Sequence, residues 1–182
     1  GRMSGIATQT RRAVDAAKTV SPTIRIAATR KTAPGFRTLD KEAVIIGGGD
    51  PHRYSLSDMV LIKDNHLAVV PLDETIRKVK EDRCYVMIEV EVETAEDAIT
   101  AADAGADIIL LDNMTPDAIR ETLEGLSRQG LRDKVLLEVS GGVDGDDLLE
   151  YAATGVDVIS IGALTHTVKN FDVSLDILAD RI

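Results

Sequence analysis

A chain of 182 residues, 44% hydrophobic and 29% charged, carries enough apolar material for one globular domain with a substantial core, which excludes a disordered segment. A net charge of −10 excludes the extended basic surface that nucleic-acid backbones require, and no apolar run approaches the roughly 18 to 20 residues of a membrane span. With no signal-peptide hydrophobic stretch at its start, the chain is expected in the cytoplasm. The single cysteine, Cys84, has no internal disulfide partner and no zinc-type neighbours, and is expected to be a buried structural thiol. Charge is unevenly spread: residues 1–66 hold 11 Lys or Arg against 6 Asp or Glu, whereas residues 67–182 hold 10 against 25. Cations gathered early in an acidic chain point to a local anion site.

In chain order, residues 1–20 set Ile6, Val14 and Ala17 among Arg11, Arg12, Asp15 and Lys18, the spacing of an entry helix that stops at Ser21-Pro22. Short apolar or alternating runs then predict strands over 24–29, 59–63, 85–91, 108–112, 135–139 and 158–161. Helical patterns fill 95–104, 116–128 and 146–154, with Gly105, Gly130 and Gly155 as stops. Strands rich in Ile, Val and Leu that alternate with helices predict an α/β fold with a parallel sheet, either closed into a barrel or doubly wound. A polar or glycine residue ends nearly every strand, as expected when the strand ends surround one rim, so a TIM-like parallel β/α barrel over residues 1–182 is the expected architecture.

On such a barrel the residues at the strand ends share one mouth. The first strand delivers Thr29, Arg30 and Lys31; Gly47-Gly48-Gly49-Asp50-Pro51-His52-Arg53 follows a helical stretch; and the next strand ends at Lys63. Later strands end in Glu91, Asp112, Ser140-Gly141-Gly142 and Gly162-Ala163. Glycines after the last two strands suit a phosphate, because backbone N–H groups can approach an oxyanion closely there; the plainer alternative is a pair of tight turns. Arg30, Lys31, His52, Arg53 and Lys63 suit a pyrophosphate or a dicarboxylate, although any one alone reads as a solvated charge. Lys63 has two chemical readings, an anion contact or a Schiff-base nucleophile. Glu89, Glu91 and Glu93 alternate along one strand, and Glu91 with Asp112 could accept ribose hydroxyls or hold Mg²⁺ through water; the alternative is an internal ion-pair network. His66 and His166 read as scaffold residues. Gly47-Gly48-Gly49 lacks the Lys-Ser/Thr of a nucleotide P-loop and the strand context of a dinucleotide fingerprint.

Taken together, Ser4-Gly5-Ile6-Ala7-Thr8, Thr29-Arg30-Lys31-Thr32 with Pro34-Gly35, Gly47-Gly48-Gly49 with His52-Arg53, Leu61-Ile62-Lys63-Asp64-Asn65-His66, Leu111-Asp112-Asn113, Ser140-Gly141-Gly142 and Gly162-Ala163-Leu164-Thr165-His166 resemble the quinolinate phosphoribosyltransferases. The resemblance implies a partly open barrel of seven strands, the seventh falling between Thr38 and Tyr54. It also implies an N-terminal domain absent from this chain, and a homodimer or higher homo-oligomer in which the partner subunit's N-terminal part completes the site. The implied substrates are quinolinate and phosphoribosyl pyrophosphate, with Mg²⁺ as cofactor, giving nicotinate mononucleotide, pyrophosphate and carbon dioxide in NAD biosynthesis. Carried over, Thr29, Arg30, Lys31, His52, Arg53 and Lys63 bind the carboxylates and pyrophosphate; Glu91 and Asp112 face ribose and Mg²⁺; Ser140, Gly141, Gly142, Gly162 and Ala163 hold the 5-phosphate. Lys63, Glu91 and Asp112 are the catalytic candidates. Rival readings are a nicotinate-using or molybdenum-transport-linked relative, an aldolase acting through Lys63, and an inactive phosphate-binding fragment.

Overall fold

The computed structural model describes residues 1–82, 85–143, 145 and 147–177, so the expectation for Cys84 falls outside the described residues. Six short strands form one all-parallel sheet: β1 (Arg25–Ala27), β2 (Val60–Ile62), β3 (Ile88–Val92), β4 (Ile108–Asp112), β5 (Leu136–Ser140) and β6 (Val158–Ser160). They lie in the order β1-β6-β5-β4-β3-β2, so the first two strands form opposite edges of the sheet, as in an opened ring. A parallel bridge between Ala27 and Asp50 places the chain around Asp50 on the free edge of β1, within the stretch where a seventh strand is expected. Among the described residues no strand pairing joins that segment to β2.

Among the described residues eight α-helices accompany the sheet: α1 (Arg2–Lys18), α2 (Arg37–Ile46), α3 (Asp64–Leu67), α4 (Leu72–Asp82), α5 (Ala95–Ala104), α6 (Pro116–Arg128), α7 (Leu148–Ala152) and α8 (Ala163–His166). The sequence explains where they start and stop. Thr94 and Thr115 accept from the third backbone N–H of α5 and α6, Pro116 fills the first position of α6, and Gly105 closes α5 in the left-handed conformation. Two aspartates then tie consecutive strands: Asp107 accepts from Ile88 N–H at the start of β3, and Asp157 from Leu137 N–H in β5, each at 2.8 Å. Among the described residues no helix is long and apolar enough to cross a membrane.

Period-two alternation separates the two faces of the sheet. Ile88, Val90 and Val92 of β3, Ile109 and Leu111 of β4, Leu137 and Val139 of β5 and Ile159 of β6 join Ile76, Ala101 and Ile119 from the helices in one core, and each is at least nine-tenths buried. The intervening positions face the ring interior and are partly polar: Glu89 and Glu91, Asp112, Glu138 and Ser140, Ser160. Strands are shorter than expected at several ends. The run 85–91 becomes a strand only at Ile88, Tyr85 being fully exposed; Lys63 follows β2 as the residue preceding α3; and Ser140 is the last residue of β5 rather than the first of a loop. The helix expected over 146–154 is confined to Leu148–Ala152. Helix α2 is the helical stretch expected before Gly47, and α3, α4 and α8, which were not expected as elements, complete the layer.

The loop that carries Arg30 and Lys31 is anchored by a buried acid. Asp40 on α2 accepts from Arg2 Nε and a terminal nitrogen of Arg2 at 2.8 and 2.7 Å, and from Ala33 N–H at 3.1 Å. The same Arg2 nitrogen reaches Thr165 O, so α1, α2, α8 and the loop after β1 meet at one pair. Asp40→Ala is expected to cost about 3 kcal/mol, because it strands a half-buried guanidinium and a backbone N–H. Urea unfolding measures this directly; a loss under about 1 kcal/mol would mean that water replaces the carboxylate.

Candidate active site

The C-terminal ends of the strands enclose a cavity of about 450 Å³. Eleven of the thirteen expected site residues line it: Thr29, Arg30, Lys31, His52, Arg53, Lys63, Glu91, Asp112, Ser140, Gly141 and Gly142. Gly162 and Ala163 do not. Gly162 sits behind the wall, where an added Cβ would lie 3.6 Å from Lys31 Cδ, and Ala163 opens onto a separate apolar groove against α1 and α7. The lining also includes Glu89, Asn113, Glu138 and Ser160, which sequence reasoning did not place in the site. A signal for three of them existed: each of Glu89, Glu138 and Ser160 lies two residues before an expected site residue, hence on the same inward face one layer deeper.

Cations and carboxylates reach the cavity from different elements. Arg30, Lys31, His52 and Arg53 come from the loops after β1 and α2, whereas Glu89, Glu91, Asp112 and Glu138 come from β3, β4 and β5. Lys63 joins the two groups in an ion pair with Glu91. His66 Nδ1 accepts from Lys63 N–H at 3.0 Å, the scaffold role expected of it, and so fixes the chain just after β2. Thr29 Oγ1 accepts from Lys31 N–H at 3.1 Å and shapes the turn that presents Arg30.

Arg30 Nε is buried with no hydrogen-bond partner among the described residues. A buried donor left unpaired costs on the order of 1–3 kcal/mol, more when charged, so this N–H is set for an acceptor. Its neighbourhood is strongly positive. Burial, followed by the charge of Arg37, pulls Lys41 down to about 8, with Arg30 and Arg53 adding to the effect; burial likewise lowers Arg53. An anion entering here would relieve that repulsion.

Among the carboxylates, Glu91 pairs in register with Leu110, which puts Asp112 two residues further along the same face of the neighbouring strand. Burial and then the Glu91 charge raise the Asp112 carboxyl above its ordinary value. Asn113 Nδ2 donates to Asp112 at 2.8 Å, and Asn113 itself adopts a left-handed φ of 53°. Two hard oxygen donors that repel one another in a half-buried site suit a divalent cation that shares them with a phosphate ligand.

One layer deeper, His52, Glu89 and Glu138 bring one ligand atom each within 4.8 Å of one another, close enough to meet on a single metal ion. This trio differs from the Glu91 and Asp112 pair to which the sequence pointed. It is already bonded internally: His52 Nε2 lies 3.1 Å from Glu138 Oε2 and 3.8 Å from Glu89 Oε1. Burial opposes a charge on His52, but the Glu138 hydrogen bond and the charges of Glu138 and Glu89 outweigh it and raise the imidazole. Burial and the Glu138 charge push Glu89 up to about 7.

The fold and site therefore define a parallel β/α domain of barrel type whose mouth brings cations from the loops after β1 and α2 together with carboxylates from β3, β4 and β5. A family model described as quinolinate phosphoribosyl transferase, C-terminal domain, matches residues 6–176, and the chain belongs to that family. It is 52% identical over 178 residues to a protein of Methanothermobacter thermautotrophicus and 53% identical over 178 residues to one of Archaeoglobus fulgidus, each named a probable nicotinate-nucleotide pyrophosphorylase (carboxylating). Those alignments take in 97% of this chain but 64% and 68% of the relatives, so the chain spans about two thirds of their length. The crystal structure of nicotinate-nucleotide pyrophosphorylase from Ehrlichia chaffeensis superposes with a TM-score of 0.86 at 40% identity, over 96% of this chain and 61% of that one.

Proposed function

We propose that this chain is the barrel domain of an enzyme that transfers phosphoribose from phosphoribosyl pyrophosphate to quinolinate, releasing pyrophosphate and carbon dioxide and forming nicotinate mononucleotide for NAD biosynthesis. The observation that carries the reading is the buried Arg30 Nε, unpartnered among the described residues, which shares one cavity with Lys31, His52, Arg53 and Lys63 and with a carboxylate pair. The cations suit the two carboxylates of a pyridine diacid and the departing pyrophosphate. Glu91 and Asp112 suit Mg²⁺ and the ribose hydroxyls, and Ser140, Gly141 and Gly142, with Gly162 and Ala163 behind them, suit the 5-phosphate.

In this reading Arg30, His52 and Arg53 hold the diacid with its ring nitrogen towards the anomeric carbon. Lys63 and Lys31 neutralise negative charge as the bond to pyrophosphate breaks and positive charge develops on the ribose, while Glu91 and Asp112 steady that positive charge. Mg²⁺, when bound, supplies charge neutralisation to the pyrophosphate. The ring nitrogen forms the new bond to the anomeric carbon. The adjacent carboxylate then leaves as carbon dioxide, its electron pair stays on the ring carbon, and a proton replaces it. Lys63 serves as an anion contact in this scheme, its amine already engaged in the ion pair with Glu91.

The segment around Asp50 is read as the seventh strand of a partly open barrel, the described chain as a single barrel domain, and the working enzyme as a cytoplasmic homodimer whose partner supplies an N-terminal domain. Calorimetry with phosphoribosyl pyrophosphate, Mg²⁺ and quinolinate, followed by addition of an N-terminal domain from a relative, tests the reading. Binding and then release of nicotinate mononucleotide and carbon dioxide are expected. Turnover with nicotinate instead of quinolinate, or no binding by the folded chain, would overturn it.

A further inference from the structure

His52 is held in a conformation that its own backbone disfavours. Its φ is 55°, in the left-handed region that a residue with a Cβ disfavours. Such a residue persists only where its surroundings over-determine it, and these residues gather at functional sites. Three contacts from different parts of the fold do so here. Asp50 Oδ1 accepts from His52 N–H at 2.7 Å. Lys41, fully buried on α2, donates its ammonium to Pro51 O, the carbonyl immediately before His52. On the side chain, Nε2 donates to Glu138 Oε2 at 3.1 Å.

Glu138 is 3% exposed, and its second oxygen accepts from Ser160 Oγ, itself 5% exposed. Both come from strand positions whose neighbours along the strand are buried and apolar, Leu137 and Val139 on β5 and Ile159 and Ile161 flanking Ser160 on β6. A buried carboxylate in an apolar strand is costly unless each oxygen is bonded, and Glu138 meets that condition through Ser160 on one side and His52 on the other. The arrangement is the one by which a carboxylate orients a histidine: the bond at Nε2 sets the ring plane and favours the doubly protonated ring, and with them the direction in which the Nδ1–H can donate.

We infer that Glu138, braced by Ser160, is a positioning residue that aims His52 at the second carboxylate of the substrate and thereby sets the preference for a pyridine diacid over a monoacid. The inference rests on the diacid reading above and adds to it the pair beneath the histidine. The cations stand at two depths: Lys31 is exposed and Lys63 is about two-fifths exposed, whereas the His52 side chain is 14% exposed beneath them. A monoacid can be satisfied by the upper set alone. A diacid gains from a second donor lower in the cavity only if that donor is held in place before binding, since the ordering of a loose side chain would cancel much of the contact.

The test is made on the full chain, with calorimetry of quinolinate, nicotinate and phosphoribosyl pyrophosphate and with proton NMR of the histidine side chains. Glu138→Ala is expected to weaken quinolinate by about tenfold or more while leaving nicotinate and phosphoribosyl pyrophosphate within about twofold, the size of one charge-assisted hydrogen bond. Glu138→Gln keeps an acceptor and its shape and is expected to restore most of the quinolinate affinity. In a His52→Ala background, Glu138→Ala should add no further loss, because it acts through the ring. The slowly exchanging Nε2–H signal of His52 should be present in the parent chain and lost in Glu138→Ala. If Glu138→Ala does not fold, Ser160→Ala, which removes one bond and little volume, should weaken quinolinate alone by about threefold. An unchanged quinolinate affinity, equal losses for all three ligands, or an Nε2–H signal that survives Glu138→Ala would overturn the inference. A parent chain that binds neither pyridine acid removes the diacid reading and the preference with it, while the Nε2–H signal still decides the brace.

Discussion

Arg30→Ala is expected to abolish quinolinate turnover in the complemented enzyme, by about a thousandfold in kcat/KM or more, while leaving the fold at least as stable as the parent. The first half follows from the buried Nε, which has no partner among the described residues. Charge-assisted, forked contacts of arginine to a carboxylate or phosphate, once desolvated, are worth about 2–5 kcal/mol on truncation, and about 4 kcal/mol corresponds to a thousandfold. The second half follows from the like charges around it. Arg30 disfavours the charged forms of Lys41 and Arg53, a repulsion that Asp50 and Glu89 offset only in part, so its removal relieves both cations. A residue that served the fold would show the opposite pattern. Its backbone is held independently, through Arg37 donating to Arg30 O at 3.3 Å and through the Asp40 anchor, so the loop should survive the substitution. Arg30→Lys keeps charge but loses the planar fork and is expected to fall between parent and alanine. Steady-state kinetics and thermal unfolding on the same samples settle the matter. Activity within about tenfold of the parent, or a clear drop in Tm, would remove Arg30 from the binding machinery.

Gly141→Ala is expected to cost more than any other single methyl group in the site. Gly141 has φ of 92°, and a Cβ there would overlap the Asn113 side-chain oxygen, standing 2.7 Å from its Cγ and 3.0 Å from its backbone nitrogen. Asn113 cannot simply swing away. Its N–H donates to Ser140 O at 2.9 Å and its side-chain nitrogen to Asp112. The added methyl therefore displaces the loop proposed to hold the 5-phosphate, the carboxylate proposed for Mg²⁺, or both. A loss of at least about a hundredfold in affinity for phosphoribosyl pyrophosphate is expected, with stability reduced by about 2–3 kcal/mol. Gly130→Ala is the control. It also has a left-handed φ, 67°, but no atom lies within 4 Å of the added Cβ, so it should cost about 1 kcal/mol and leave ligand binding unchanged. Calorimetric titration of both variants with the phosphoribosyl ligand separates conformational strain from damage to the site. Equal behaviour of the two would place Gly141 among ordinary turn residues.

Legibility in the sequence followed the range of the physics. Local patterns were read well: the entry helix, β4, and helices α5 and α6, whose bounds agree with the expected 95–104 and 116–128, each rest on periodicity, a capping threonine or a stop glycine, all carried within a few residues. Strands with ragged apolar runs were overextended, as at residues 85–87, because an alternating pattern does not say where a pairing neighbour ends. Helix α4 was missed although LDETIRKVKED spaces Leu72, Ile76 and Val79 on one face: that stripe is narrow, only Ile76 being buried, and charged residues dominate the run. At the cavity, residues that end strands were foreseen because the barrel rule needs only the strand boundary. Gly162 and Ala163 obey the same rule in sequence yet lie behind the wall, since the turn into α8 carries them away from the mouth.

What the amino-acid order determined by itself is the parallel α/β plan, the uneven charge that places an anion site near the first strands, and the identity of most rim residues. These depend on spacing and residue chemistry, which one strand or one loop expresses alone. Only the tertiary structure decided the pairing of charges: Lys63 with Glu91 across 28 residues, His52 with Glu138 across 86, and Arg2 with Asp40 beneath the Arg30 loop. Such pairs have no signature in sequence spacing. Each forms because packing brings groups distant in the chain together around a largely buried carboxylate, Glu91, Glu138 or Asp40, that would be costly to leave unpaired, and that packing is a property of all the elements together.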